Sequence, residues 1–189
     1  MKNKLITITI TVAGSLCLVT GSGIAGTAGE NYFGLQYGYG NYDEEGFSET
    51  YEPTLLVGRF GRFLTPNFTI EGRLGTGLDD DTHMLPAFQN RDATLEMDSM
   101  FGLYGTGHFN FTESSSIYGV LGVSQVKLTA SLPDFPGLES QEENSSVSYG
   151  IGVDIGIGSR WSLNVEYIRY LDKDDFDLDV GSVGASFEF

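Results

Sequence analysis

Hydrophobic and polar positions alternate strictly over residues 147–158, VSYGIGVDIGIG. Val147, Tyr149, Ile151, Val153, Ile155 and Ile157 make one row; Ser148, Gly150, Gly152, Asp154, Gly156 and Gly158 make the other. A period of two marks a strand, whose successive side chains point to opposite faces. The second row is unusual. A soluble sheet shows water a row of polar and charged side chains, and glycine weakens a strand unless something must approach its backbone. A narrow, crowded, polar interior inside an apolar exterior explains both rows, which is the inverted arrangement of a transmembrane β-barrel.

The pattern recurs along the chain and predicts strands over residues 31–42, 51–62, 68–77, 94–111, 116–129, 147–158, 161–171 and 176–189. Phe33, Leu35, Tyr37 and Tyr39 alternate with Gly34, Gln36, Gly38 and Gly40 in the first. In the third, Phe68, Ile70 and Leu74 face out, with Thr69, Glu71 and Arg73 facing in. In the fourth, Met97, Phe101, Leu103 and Phe109 share the outer face, opposite Glu96, Asp98, Tyr104 and His108. The fifth is ambiguous: Ile117, Leu121 and Val123 compete with Tyr118, Val120 and Val126, which suggests a bulge or a misread strand end. Short turns at 63–67, 112–115 and 158–160 alternate with longer loops at 43–50, 78–92, 130–146 and 172–175. An even strand number, with long connections at one end and short ones at the other, is the outer-membrane pattern. The expected fold is all-β: an eight-stranded antiparallel up-and-down transmembrane β-barrel.

Aromatic residues and charges fit the same reading. Phe33, Phe60, Phe63, Phe68, Phe109, Phe111, Trp161, Phe187 and Phe189 fall at the short-turn end, and Tyr39, Tyr42, Tyr51, Tyr167 and Tyr170 at the long-loop end. These are the expected interfacial girdles. A lipid-facing Arg or Lys costs about 2–4 kcal/mol at the midplane and little near the interfaces. Arg62, Lys127, Arg160 and Arg169 lie near strand ends, whereas mid-strand Arg59 and Arg73 are assigned to the interior.

The formal charge of −16 opposes any nucleic-acid partner. Lys2 and Lys4, an apolar stretch to Thr20 and the small-residue run GSGIAGTAG read as a secretory leader over residues 1–28, cut behind Ala28 or, as a second option, Ala25. Its loss takes the charge from −16 to −18. The barrel is then expected to occupy residues 29–189. The glycines of 21–26 match a dinucleotide fingerprint but lack the strand-helix-strand setting it requires. Cys17, the sole cysteine, falls in the leader, so neither disulfides nor thiol chemistry are expected.

With YFGLQYGYG, LYGTGHFNF and YGIGVDIGIG in place, the chain resembles the small eight-stranded outer-membrane barrels of the OmpA and OmpX type over nearly its whole mature length. That resemblance implies residence in the outer membrane of a Gram-negative bacterium, among its lipids and lipopolysaccharide. It also implies that Val183, Ala185, Phe187 and Phe189 form the C-terminal signal read by the barrel-assembly machinery. Members of this group are variously structural, adhesive, weakly pore-forming or enzymatic, and the sequence names no extracellular partner.

Arg59, Glu71, Arg73, Asp98, His108, Asp154 and Glu166 are expected in the lumen. Eight strands leave room for little but side chains, and buried charges require partners. The expectation is a polar ion-pair network plugging the barrel, with Arg59 and Arg73 paired to Glu71, Glu166 and Asp154. A narrow gated pore through the same network is the alternative. No catalytic residue is assigned, because His108 has no adjacent serine for hydrolysis of lipid A. No cofactor or metal is expected either; Asp79, Asp80, Asp81, Asp172, Asp174 and Asp175 are at most weak divalent-cation ligands. The rival from another class is a soluble secreted ligand-binding barrel, which requires Ile151, Val153 and Ile155 inside.

Overall fold

The computed structural model describes residues 26–44, 53–78, 81–85, 91–112, 115–131, 139–173 and 176–189. The strands are β1 (Asn31–Glu44), β2 (Thr54–Thr65), β3 (Phe68–Gly77), β4 (Asp81–Leu85), β5 (Arg91–Asn110), β6 (Ser115–Ser131), β7 (Glu139–Ile157), β8 (Trp161–Asp172) and β9 (Phe176–Glu188). They form one antiparallel sheet in the order β3-β2-β1-β9-β8-β7-β6-β5-β4, which β3 closes by pairing with β5. On one edge of β5, β3 covers Met100–Gly107 and β4 covers Arg91–Leu95, while β6 takes the other edge. β4 thus continues the position of β3, and the sheet closes as an eight-strand barrel. The seam between first and last strands runs from Tyr32 opposite Glu188 to Glu44 opposite Phe176.

Facing follows the alternation. Ile151 and Ile155 are 53% and 51% exposed, whereas Glu166 is 2% exposed. Phe33, Phe60, Phe68, Phe109, Phe111, Trp161 and Phe189 point outward at the turn end, and Tyr39, Tyr149 and Tyr167 at the loop end. Monomers in water rarely expose a continuous apolar belt of this size. The soluble ligand-binding barrel is excluded, since its apolar row would have to face inward.

Several local expectations are corrected. Residues 78–92 are not all loop, because β4 and the start of β5 lie there, and β7 begins eight residues before the expected 147. The β6–β7 pairing continues without a shift to Ser131 opposite Glu139. The suspected bulge belongs to β5 rather than to the fifth predicted strand: the β5–β6 register shifts between Met97 and Ser99. One extra residue reverses the facing beyond it, so Met97 is buried rather than lipid-facing. Tyr170 shares the inward row of Asn164, Glu166 and Ile168 and so leaves the girdle, and a second shift between Arg169 and Leu171 in β8 brings Leu171 inside beside it. Phe63, expected in the other girdle, is buried in the barrel mouth against Tyr32 and His108. Tyr42 lies on β1, and Tyr51 falls outside the described residues.

The lumen has two storeys. Towards the turns it is polar and charged; towards the long hairpins Leu55, Val57, Met97, Met100, Val126, Leu128, Ile168, Leu171, Leu178 and Val180 form an apolar core. The expectation of a polar lumen holds only for the turn-side half. This core also explains the ambiguity around residue 120: with Ile117 and Leu121 in lipid and Val120 and Val126 in the core, both faces of β6 are apolar.

Inward glycines leave room for large neighbours. A Cβ at Gly152 would lie 2.3 Å from Tyr118 Cζ, and one at Gly61 would lie 2.2 Å from Tyr32 Cζ. Gly158 instead adopts φ +84° in the β7–β8 turn, where a side chain would be strained. Gly152→Val is expected to evict the Tyr118 ring and lower the temperature at which the barrel loses its heat-modifiable gel migration. Gly181→Ala, whose Cβ would meet nothing within 4 Å, is expected to leave that temperature unchanged.

Candidate functional site

The register of β2, β3 and β8 assembles the charged centre. Arg59 pairs across the ladder with Arg73, an arrangement of like charges that is unfavourable unless anions intervene. Two do. Glu71 Oε2 accepts from Arg59 Nη2 at 2.8 Å and Nε at 3.0 Å, and Glu71 Oε1 accepts from Arg73 Nε. Arg73 then turns its fork to Glu166, donating from Nη1 to Oε1 at 2.5 Å and from Nη2 to Oε2 at 2.8 Å. All four side chains are at most 2% exposed. Two guanidinium and two carboxylate groups make the cluster neutral.

Tyrosines satisfy what remains. Tyr32 donates to Glu71 Oε2, and Tyr118 donates to Glu166 Oε2 at 3.0 Å. Arg73 Nη1 also donates to Tyr170 Oη at 3.2 Å. The Arg73 guanidinium lies 4.7 Å over the Tyr104 ring, and Arg59 sits 5.9 Å and 5.6 Å from the Tyr32 and Tyr118 rings. Tyr104 shares a 2.5 Å hydrogen bond with Ser124, and Ser124 one of 2.6 Å with Ser148. These tyrosines were not singled out from the sequence as members of the network. Their inward positions in the alternation were the available signal.

The remaining expected lumen residues divide. Asp154 lies towards the turn end, with Oδ2 3.7 Å from His108 Nδ1, and forms no ion pair with either arginine. Asp98 is a correction. It sits at the β5 bulge, four residues loopward of the Gly102 that pairs with Arg73, where it accepts from Thr129 Oγ1 at 2.8 Å and lies 3.7 Å from the half-exposed Lys127.

His108 does have a serine neighbour. Cross-strand pairing of Asn110 with Ser116 brings Ser116 Oγ to 3.4 Å from His108 Nδ1. Sequence spacing hides this contact, since it depends on the hairpin register. It does not create a hydrolytic relay: acid and nucleophile must sit on opposite ring nitrogens, whereas Ser116 and Asp154 both face Nδ1 and Nε2 has no partner.

Among the proposed cation ligands, Asp79, Asp80, Asp174 and Asp175 lie outside the described residues. Asp81 opens β4, and Asp172 lies 3.8 Å from Arg169. Arg169 also grips Asp179 with two 2.7 Å hydrogen bonds and reaches Asp177 at 3.0 Å. Among the described residues, no three His, Cys, Asp or Glu are grouped to hold a metal. Val183, Ala185 and Phe187 share the outward row of β9, opposite Tyr37, Leu35 and Phe33. Phe189 exchanges backbone hydrogen bonds with Asn31 at 2.9 and 3.1 Å, fastening the end of the seam.

Removing one partner of a buried ion pair costs about 3–5 kcal/mol, because the stranded charge remains desolvated. Arg73→Ala strands two carboxylates and is expected to lose at least that much in urea unfolding from detergent micelles. Asp98→Asn, at a half-exposed pair, is expected to lose less than about 1 kcal/mol.

The model of the outer membrane protein beta-barrel domain matches residues 10–189. Ail, the attachment invasion locus protein of Yersinia pestis solved with the heparin analogue sucrose octasulfate, superimposes with a TM-score of 0.64 at 17% identity, over 86% of this chain and 100% of that one. Neisserial surface protein A gives 0.63 at 12% identity, over 84% of this chain and 97% of that one. The N-terminal β-barrel domain of Pseudomonas aeruginosa OprF gives 0.58 at 15% identity, over 85% and 99%. No curated protein matches the chain. At such identities the solved structures speak for the fold, and the family match speaks for membership. With its strands closed, its apolar rows turned outward and its charges turned in, the chain belongs to the outer membrane protein β-barrel domain family and is a barrel of the outer membrane.

Proposed function

We propose that this protein is a closed, non-conducting and non-catalytic barrel, with a structural or surface-interaction role carried by its long hairpins. The observation behind this reading is the continuity of the lumen filling. The Arg59–Glu71–Arg73–Glu166 cluster spans the barrel from β2 and β3 to β8, and the apolar core around Leu55, Met100 and Ile168 packs above it. An ion would have to separate partners at 2.5–2.8 Å and then cross a layer of packed apolar side chains.

The hairpins are the part free to meet a partner. In outer-membrane barrels the short turns are periplasmic and the long loops extracellular, which places the β6–β7 hairpin outside. Its strands carry Glu142 and Glu143 opposite Leu128 and Lys127. Lipids and lipopolysaccharide surround the apolar belt in this reading, and Val183, Ala185, Phe187 and Phe189 present the terminal strand to the assembly machinery.

Planar-bilayer recording tests the closed lumen. Wild-type protein is expected to give no conductance above the bare bilayer. Discrete wild-type openings that Arg73→Ala alters or abolishes would replace this reading with the narrow gated pore.

A further inference from the structure

Residues just before β1 are built into the barrel. Gly26 is buried, and a Cβ on it would sit 2.2 Å from Phe63 Cε2. Phe63 cannot easily yield, since its ring is held 5.6 Å from Tyr32 and 5.7 Å from His108. Thr27 to Glu30 form a closed turn: Glu30 N–H donates to Thr27 O at 2.9 Å, and Thr27 N–H donates to Glu30 Oε2 at 2.6 Å. Gly29 N–H donates to Phe63 O at 2.8 Å, and Phe63 N–H returns a bond to Glu30 O at 2.9 Å. Cleavage behind Ala28 would delete Gly26 and Thr27 and uncover Phe63. Cleavage behind Ala25 keeps the whole turn and still places small residues, Gly23 and Ala25, at the two positions a leader peptidase reads.

A second observation concerns charge. Gly26 lines a cavity of about 40 Å³ at the turn end, whose walls include His108, Asp154 and Glu188. Arg59 and Arg73 are committed to Glu71 and Glu166. Asp154 therefore has only an imidazole at 3.7 Å, and imidazole carries little charge at neutral pH. Arg160 stands exposed at the rim, within ion-pair distance of neither acid. His108 Nε2 and Asn110 Nδ2 are buried without hydrogen-bond partners. Arg59 and Arg160 line the cavity too, but Arg59 is neutralised by Glu71 and Arg160 touches neither acid, so Asp154 and Glu188 outnumber the one uncommitted cation and neither has a cation in contact among the described residues.

We infer that the leader is cut between Ala25 and Gly26, and that the resulting α-ammonium of Gly26 is the counter-charge of the Asp154 and Glu188 carboxylates, sealing the periplasmic mouth. The cut is a hydrolysis by a membrane-bound peptidase. Water adds to the Ala25 carbonyl, the Ala25–Gly26 amide bond breaks, Ala25 leaves as a carboxylate and Gly26 takes up the proton as an ammonium. Burying that ammonium is tolerable only beside anions, and the cavity supplies them.

Two measurements test this. The intact mass of folded barrel from outer membranes is expected to correspond to residues 26–189; a mass lighter by Gly26, Thr27 and Ala28 overturns the assignment. Chains beginning at Gly26 are then refolded in detergent with a free or an acetylated α-amine. Acetylation is expected to lower the unfolding midpoint, and to lose that effect in the Asp154→Asn, Glu188→Gln double variant. Equal midpoints for the free and acetylated chains with both acids present would refute the counter-charge role, even if the cut is placed correctly.

Discussion

The barrel is organised by the cost of burying charge in a space too narrow for bulk water. Bringing each ion out of water costs several kcal/mol, recovered only when geometry and hydrogen bonding are nearly complete. Arg73 meets that demand by bridging two carboxylates that belong to different strands, Glu71 beside it on β3 and Glu166 on β8. Since β8 lies across the barrel from β3, the bridge ties opposite walls together. A slip of one residue in either strand would send the arginine or the glutamate into lipid. The network therefore specifies register as well as contributing stability.

Around that centre the other features become necessary. Tyrosines must donate to the carboxylates, and tyrosine rings need space in a lumen of this diameter. Glycine on the facing strand provides it, as at Gly152 opposite Tyr118 and Gly61 beside Tyr32. Outside, the same strands face acyl chains, where an apolar row carries no penalty and a mid-depth cation does. The glycine-rich inner row and the isoleucine-rich outer row are two sides of one geometry. Above the network the charges give way to Leu55, Met100, Ile168 and Leu178, so the interior changes from salt-bridged to hydrocarbon within one barrel.

At the turn end, Phe63 folds inward, Gly26 packs against its ring and the Thr27–Glu30 turn clamps the start of β1. Phe189 clamps the end of β9 to Asn31 at the same height. The first and last strands are thus fastened together where a barrel must close, and the chain entering β1 becomes part of the floor at the turn end.

The alternation determined much of this from sequence alone. A period of two leaves no choice of face once one residue is placed, so Arg59, Glu71, Arg73, Asp154 and Glu166 were legible as interior and Ile151 as lipid-facing. What broke the period could not be read. A bulge adds one residue without any compositional mark, and the one at Asp98 reversed Met97. The shift beyond Arg169 likewise turned Leu171 inward. Pairing between distant strands was equally hidden. Only closure showed that Arg73 reaches Glu166, because that distance depends on barrel diameter, a property of all eight strands together, and only the β5–β6 register showed that Ser116 meets His108.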